Sequence, residues 1–121
     1  MGSPWRRRLD SHAVVIADPA GIIRFWSRGA EIAFGYSPGH AVGRTLDLIV
    51  PPEFREAHWI GFRRAMARGV AEAEGTPTPF PVRRADGEVV PTPGRLALIR
   101  EPQGQVIGAA VVFERDGGSA P

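Results

Sequence analysis

The sequence predicts an α+β fold: a five-stranded antiparallel sheet with short helices and one longer helix across one face. Three observations predict it. Two β-rich runs, Ala13–Ala17 and Ile22–Trp26, open the chain; helix signals follow from Ser27 to Gly69; and three further strand candidates joined by tight turns close it. Strands on either side of a run of helices, packed as one sheet with the helices over one face, satisfy that order.

The first two runs, A-V-V-I-A and I-I-R-F-W, are separated by D-P-A-G, in which proline fixes φ and glycine closes the turn, so they form a hairpin. Ser27 is placed to cap a short helix that runs to Phe34 and breaks at Gly35, and Ser37-Pro38 starts another that Gly43 ends. Helices this short must pack, because they do not stand alone. Thr45 to Val50 is a further helical turn leading into the longer helix. After Gly69 the Ala, Glu, Gly, Thr and Pro content of Val70 to Pro79 reads as a loop. The closing strands are expected at Phe80–Arg84, before an A-D-G turn, at Glu88–Arg100, and at Gln105–Arg115, after E-P-Q-G. Pro91 and Pro93 argue for an edge position or a bulge early in the second of these.

At 121 residues, 43% of them hydrophobic, the chain is long enough for one ordinary core and too short for a second domain. The fifteen basic residues are matched by thirteen acidic ones, a net charge of +2 that is no nucleic-acid footprint. Trp5 among Arg6, Arg7 and Arg8, and Trp59 among helix arginines, read as packing or a solvated terminus, not as base stacking. There is no lysine, which excludes Schiff-base chemistry, and no cysteine, which excludes disulfides, thiolate metal sites, iron–sulfur clusters, covalent c-type haem, thiol nucleophiles and a flavin photoadduct through a thiol. The longest apolar runs, Ala13–Ala17 and Val106–Phe113, fall far short of the roughly 20 residues that span a bilayer, so no membrane association is expected and a cytoplasmic location is the default. No nucleophile with a nearby histidine and carboxylate, no phosphate loop and no paired metal ligands are visible, and the chain is not expected to be an enzyme.

The signals of function converge on Val50 to Gly69, V-P-P-E-F-R-E-A-H-W-I-G-F-R-R-A-M-A-R-G. Pro51 and Pro52 suit a first helical turn, Glu53 and Glu56 complement its positive end, Arg63, Arg64 and Arg68 its negative end, and Gly69 stops it. At about 3.6 residues per turn, Phe54, His58, Gly61, Phe62 and Ala65 share a face. His58 then lies within an apolar stripe, where an unpaired imidazole costs roughly 1–3 kcal/mol, so something should meet it. Either a backbone carbonyl or water satisfies it, or a ligand does. Gly61 and Ala65 leave room for a flat molecule beside the helix, and the space between helix and sheet is where a small molecule would lie.

Three stretches, A-D-P-A-G-I-I-R-F-W-S-R-G-A-E-I-A-F-G-Y-S-P, V-G-R-T-L-D-L-I-V-P and R-R-A-D-G-E-V-V-P, with the order of elements around them, resemble a PAS domain from about His12 to Phe113. The resemblance implies a PAS sensor domain over residues 12–116, between a basic arm or cap at 1–11 and a flexible tail at 117–121. Within that fold V-P-P-E-F-R-E-A-H, with Arg64 six residues after the histidine, is similar to the haem-binding, FixL-type gas sensors. That similarity implies non-covalent haem b with its iron held by His58, a propionate paired with Arg64, and Phe54, Gly61, Phe62 and Ala65 along the helix side. It places Thr78, Ala73, Gly94 and Leu96 on the opposite side, and Glu72 where that family has a second propionate partner. Thr78 stands where that family has an arginine that donates to bound oxygen, and Ala73, Gly94 and Leu96 stand where it has bulky aliphatic residues. Arg95, by strand alternation, is sent to the other face. The partners implied are a diatomic gas (O2, CO or NO), a second copy in a homodimer, and an output domain or protein in trans reached through the sheet. The alternative is a PAS interaction or dimerisation module that holds no cofactor, or another small molecule, in the same place. His12 and His40 read as surface residues.

Overall fold

The computed structural model describes residues 12–114; the arm at 1–11 and the end of the chain from 115, including Trp5 and the arginines beside it, lie outside the described residues. Five antiparallel strands, β1 (Ala13–Ala17), β2 (Ile23–Trp26), β3 (Thr78–Arg83), β4 (Val89–Arg100) and β5 (Val106–Phe113), form one sheet in the order β2-β1-β5-β4-β3. Between β2 and β3 come α1 (Arg28–Phe34), α2 (Pro38–Ala41), two 3-10 turns at Leu46–Leu48 and Pro52–Phe54, and α3 (Arg55–Arg68). The class and strand count agree with the sequence reading.

The first hairpin closes because Asp18 Oδ1 accepts from the N–H groups of Ala20 and Ile22, and Gly21 takes a positive φ of 81°. Ser27 caps α1 as expected. Its buried Oγ accepts from Ala30 N at 3.1 Å and from Val14 N at 2.8 Å, and donates to the carbonyl of His12 at 3.0 Å, tying helix to strand. Gly35 ends the helix in the left-handed conformation.

The inner face of the sheet reads in rows across β1, β5 and β4: Ala17–Ala109–Leu98, Val15–Val111–Leu96 and Ala13–Phe113–Gly94. A main cluster gathers Ala13, Val15, Ile23, Trp26, Ala30, Phe34, Ile49, Val82 and Phe113, with Val111 and Phe80 packed on it. Phe34 meets Phe113 edge-on at 5.1 Å. A second, smaller cluster of Ala65, Leu98, Val106 and Ala109, with Phe62, Met66, Ala71 and Leu96 against it, joins α3 to the sheet. The outer face carries an apolar row, Phe25–Ile16–Ala110–Ala97, with Val14, Val112 and Arg95 beside it. Phe25 is 46% exposed and Val112 41%.

The prolines of the closing strands sit opposite one another, Pro79 with Pro93 and Pro81 with Pro91. Directly opposed antiparallel residues either exchange both N–H···O bonds or neither, and two prolines exchange none. Their missing N–H groups therefore point away from each other. On β4 they fall before Gly94, where pairing with β5 begins, so this early part of β4 is paired on one side only, as its prolines suggested. Farther along β4, the segment after α3 covers the side that β3 leaves open: Glu74 bridges to Leu96, and its Oε2 accepts from Leu98 N at 2.8 Å.

Candidate functional site

The longer helix begins later than its prolines suggested. Pro52–Phe54 form a separate 3-10 turn, and Phe54, at φ −107° and ψ 0°, breaks the path before α3 starts at Arg55. Arg55 fixes the junction, its Nε donating to the carbonyl of Val50 and its Nη2 to that of Asp47, each at 3.1 Å.

The two halves of α3 are held differently. In the C-terminal half Ala65, the helix's one buried residue, sits among Leu98, Val106 and Ala109, small side chains on both sides bringing the helix close to the sheet. In the N-terminal half the anchor is Trp59. Its Nε1 donates to Asp47 Oδ1 at 2.8 Å, and its ring lies so close over Gly21 that a Cβ there would stand 2.3 Å from two indole carbons. Only a glycine admits the ring this near, and its positive φ suits glycine as well.

His58 is half-buried beside that anchor, its ring 4.9 Å from the indole of Trp59 and 5.9 Å from the ring of Phe62. Its Nδ1 is sealed from solvent and has no hydrogen-bond partner among the described residues. Burial pulls its pKa below the ordinary 6.5, and the nearby charge of Asp47, which raises it, does not win. The imidazole is therefore neutral around pH 7.

Of the other residues singled out from sequence, the structure brings Phe62, Ala65 and Leu96 into one cluster. Phe54, expected on the buried face, is 44% exposed, and Gly61, expected beside it, is exposed with open space where a Cβ would be. Arg64 is exposed, and no ion pair joins it to another described residue. Thr78 is half-buried and its hydroxyl donates to the carbonyl of Thr76 at 2.9 Å. Gly94 is buried under Phe113, Val111 and Phe80, which would stand 3.0, 3.1 and 3.3 Å from a Cβ. Arg95 is exposed, its Nη1 donating to the carbonyl of Gly75 at 3.4 Å. His40 is exposed and stacks on Tyr36 at 5.5 Å. The buried stripe of α3 is thus turned toward Trp59, Phe62, Ala65 and Met66, with His58 at its border. Sequence reasoning gave Trp59 to packing but did not find its partners, Asp47 and Gly21.

An open cleft of about 250 Å³ is lined by Pro19, Ala20, Thr45, Asp47, Trp59, Phe62 and Arg63, and so shares two of its walls, Trp59 and Phe62, with the surroundings of His58. Among the described residues no group of three His, Asp or Glu side chains is assembled, so a metal ion held wholly by protein ligands finds no set of donors here. A group that brings most of its own ligands needs one donor from the chain, and a neutral imidazole with an unclaimed nitrogen is such a donor. The helix side fits haem to that extent. Of the sheet residues singled out from sequence, Thr78 and Gly94 offer no charged donor: the Thr78 hydroxyl is turned to Thr76 and Gly94 is roofed by aromatic and aliphatic groups.

The family model described as the PAS fold matches residues 11–115. An uncharacterised protein of Azorhizobium caulinodans is 34% identical over 89 residues, covering 71% of this chain and 12% of that protein. The chain thus spans about an eighth of the length of that relative. Among solved structures, a PAS domain from Colwellia psychrerythraea superposes with TM-score 0.74 at 21% identity, covering 92% of this chain and 93% of the other. The PAS domain of the RpfR quorum-sensing receptor of Cronobacter turicensis, in complex with C12:0, gives 0.66 at 16% identity, covering 87% and 93%. An RNA-binding light-oxygen-voltage receptor gives 0.67 at 21% identity, covering 92% of this chain and 31% of that one. At these identities the likeness is one of fold.

Proposed function

This chain belongs to the PAS family, and on that premise we propose that it is a sensor module whose small-molecule ligand lies between α3 and the inner face of the sheet, against His58. One observation carries the reading: the buried, unpartnered Nδ1 of His58 at the border of a core divided into two clusters. A buried polar atom left unpaired in the empty fold costs roughly 1–3 kcal/mol, and a ligand that meets it recovers that cost. The small side chain of Ala109, in the inner row beside Leu98, keeps the sheet low beneath the helix. The Cronobacter domain, solved in complex with C12:0, supports the reading that a domain of this fold holds a small molecule.

The ligand that the helix suggests is haem b. When bound, it supplies an iron able to take O2, CO or NO. His58 would hold it through the ring, burial keeping the imidazole deprotonated and ready to donate. Arg64, six residues on and free of ion pairs among the described residues, would pair with a propionate through its planar guanidinium. Phe62, Ala65 and Leu96 would exclude water from one side. No chemical step is assigned to the chain; it binds and responds. Because no arginine occupies the position of Thr78, selection among the gases would rest on space and on water exclusion.

The outer apolar row from Phe25 to Ala97 favours a second role beside this one, docking of a second copy or an output partner on the sheet, with or without a ligand inside. Absorption spectra of the protein, alone, with haemin, after dithionite and after carbon monoxide, test the ligand. A Soret band that shifts at each treatment and disappears in His58→Ala is expected. A flat spectrum with added haemin, and thermal unfolding that haemin leaves unchanged, would leave the interaction module as the function.

A further inference from the structure

We propose that the open cleft is a binding site in its own right, for a small zwitterion: a single amino acid with both ends free and an apolar side chain. The inference goes beyond the reading at His58 and uses none of it.

Three segments wall the cleft, and each is tied to the next. The D-P-A-G turn brings Pro19 and Ala20, held in shape by the bonds that Ala20 N and Ile22 N donate to Asp18 Oδ1. The first 3-10 turn, with its capping residue, brings Thr45 and Asp47, and its Leu46 N donates to the carbonyl of Gly21 at 3.0 Å. From α3 come Trp59, Phe62 and Arg63; the Trp59 Nε1 donates to Asp47 and its ring is seated on Gly21, which ties the helix to both turns. The walls stand ready before any ligand arrives, and that lowers the cost of binding.

Within these walls lie two opposite charges that do not meet. Asp47 Oδ1 accepts from Trp59 and has Arg55 Nε 3.7 Å away, while Asp47 Oδ2 receives no hydrogen bond from a described residue. Arg63, one turn beyond Trp59, is exposed, and no ion pair joins it to another described residue. A lone cation in the cleft would be drawn to Asp47 and repelled by Arg63; a lone anion would meet the reverse. A molecule that carries both charges satisfies both, its ammonium on Asp47 Oδ2 and its carboxylate on the Arg63 guanidinium. The Thr45 hydroxyl, which accepts from Asp47 N at 3.3 Å, keeps its own hydrogen to donate to that carboxylate. The rest of the lining, Pro19, Ala20, Phe62 and the ring of Trp59, is apolar and takes the side chain. At about 250 Å³ the cleft falls below the roughly 300–1,000 Å³ of sites for drug-sized ligands, which suits one amino acid and not a nucleotide.

The test is calorimetric titration of the native protein at neutral pH with L-leucine and L-phenylalanine, beside L-leucinamide, which lacks the carboxylate, and N-acetyl-L-leucine, which lacks the ammonium. The free amino acids are expected to bind with Kd of about 1 mM or tighter, and each capped form about tenfold or more weaker, the effect of losing one charge-assisted contact. Arg63→Gln is expected to bind leucine and leucinamide alike. Asp47→Asn keeps an acceptor oxygen for Trp59 and is expected to bind leucine and N-acetylleucine alike. Each variant thus erases one discrimination and leaves the other, with unchanged far-ultraviolet circular dichroism. No binding of either amino acid up to about 10 mM, equal binding of free and capped forms by the native protein, or discrimination that survives in the variants would overturn the proposal.

Discussion

Leu96 and Val111 stand directly opposite each other across β4 and β5, yet Leu96 packs with the cluster under α3 and Val111 with the cluster under α1. The division of the core runs between these two side chains. Both are only half-buried, although both point inward.

If a ligand lies over that division, filling it from the protein side should expel the ligand. Leu96→Phe is expected to abolish the haemin-dependent Soret band while changing stability by no more than about 1–3 kcal/mol, the usual range for an added core ring. Unaltered haemin titration of the folded variant would place the ligand elsewhere.

Replacing His58 by leucine removes the unpaired Nδ1 and is expected to stabilise the ligand-free protein by about 1–3 kcal/mol at neutral pH, read from the urea midpoint. A loss of stability of that size would mean that the imidazole has a partner in solution.

The same residue sets a pH dependence. The folded imidazole, depressed by burial, binds its proton below the unfolded value of 6.5. In the interval between the two the unfolded chain holds more protons, so stability is complete above 6.5 and declines as pH falls through that interval. The carboxylates of Asp18 and Glu74 act lower. At Asp18 burial pushes upward but the hydrogen bonds from Ile22, Arg24 and Ala20 prevail; at Glu74 the bond from Arg100, then that from Leu98, holds the pKa down. Their contributions are lost only below their unfolded values of 3.8 and 4.5. Urea midpoints of the native protein are thus expected to fall from pH 6.5 downward, and those of His58→Leu to stay level until the carboxylates titrate.

Two more substitutions test the packing. Gly108→Ala would set a Cβ 2.6 Å from the backbone oxygen of Ala17, which cannot yield without parting β1 from β5; Gly94→Ala meets only side-chain carbons, at 3.0 Å or more. Overpacking costs about 1–3 kcal/mol, and Gly108→Ala is expected at or above the top of that range with Gly94→Ala at the bottom, by thermal unfolding.

Ser27→Ala removes a helix cap and leaves Val14 N unsatisfied inside the protein, for an expected loss of about 2–3 kcal/mol. A loss under half that would mean that water replaces the hydroxyl.

The strands and turns were legible because their causes are local. The D-P-A-G turn is closed by Asp18's own carboxylate, and Ser27 and Gly35 mark α1 by capping and by a positive φ. The start of α3 was less legible: Pro51 and Pro52 are compatible with a helix but gave a 3-10 turn, with Arg55 tying the junction to the carbonyls of Val50 and Asp47. The candidate site was half legible. Helical spacing puts His58 with Phe62 and Ala65, but it cannot say which sector of the helix meets the sheet. That was decided by Trp59, which finds an acceptor twelve residues back on Asp47 and a bare backbone at Gly21. Phe54 and Gly61 consequently face outward, and the stripe begins one residue later than a helical wheel centred on His58 would have it.

The opposed prolines have a consequence for how copies of this chain can meet. On β3, the N–H groups that would project from the rim are absent at Pro79 and Pro81, and the next on that side, Arg83, is spent on the carbonyl of Ile49. Another strand approaching that rim finds carbonyls and no donors, so it cannot zip on, and the usual route from a folded sheet to fibrous aggregates is closed there. The opposite rim, at β2, is occupied in turn by Gly43 to Leu46, whose backbone bonds to Gly21 and Ile23. Should copies of this domain meet through the sheet, the rims offer them no ladder, and the contact falls to the side-chain surface around Phe25 and Ile16, where specificity is set by shape instead of by backbone ladders.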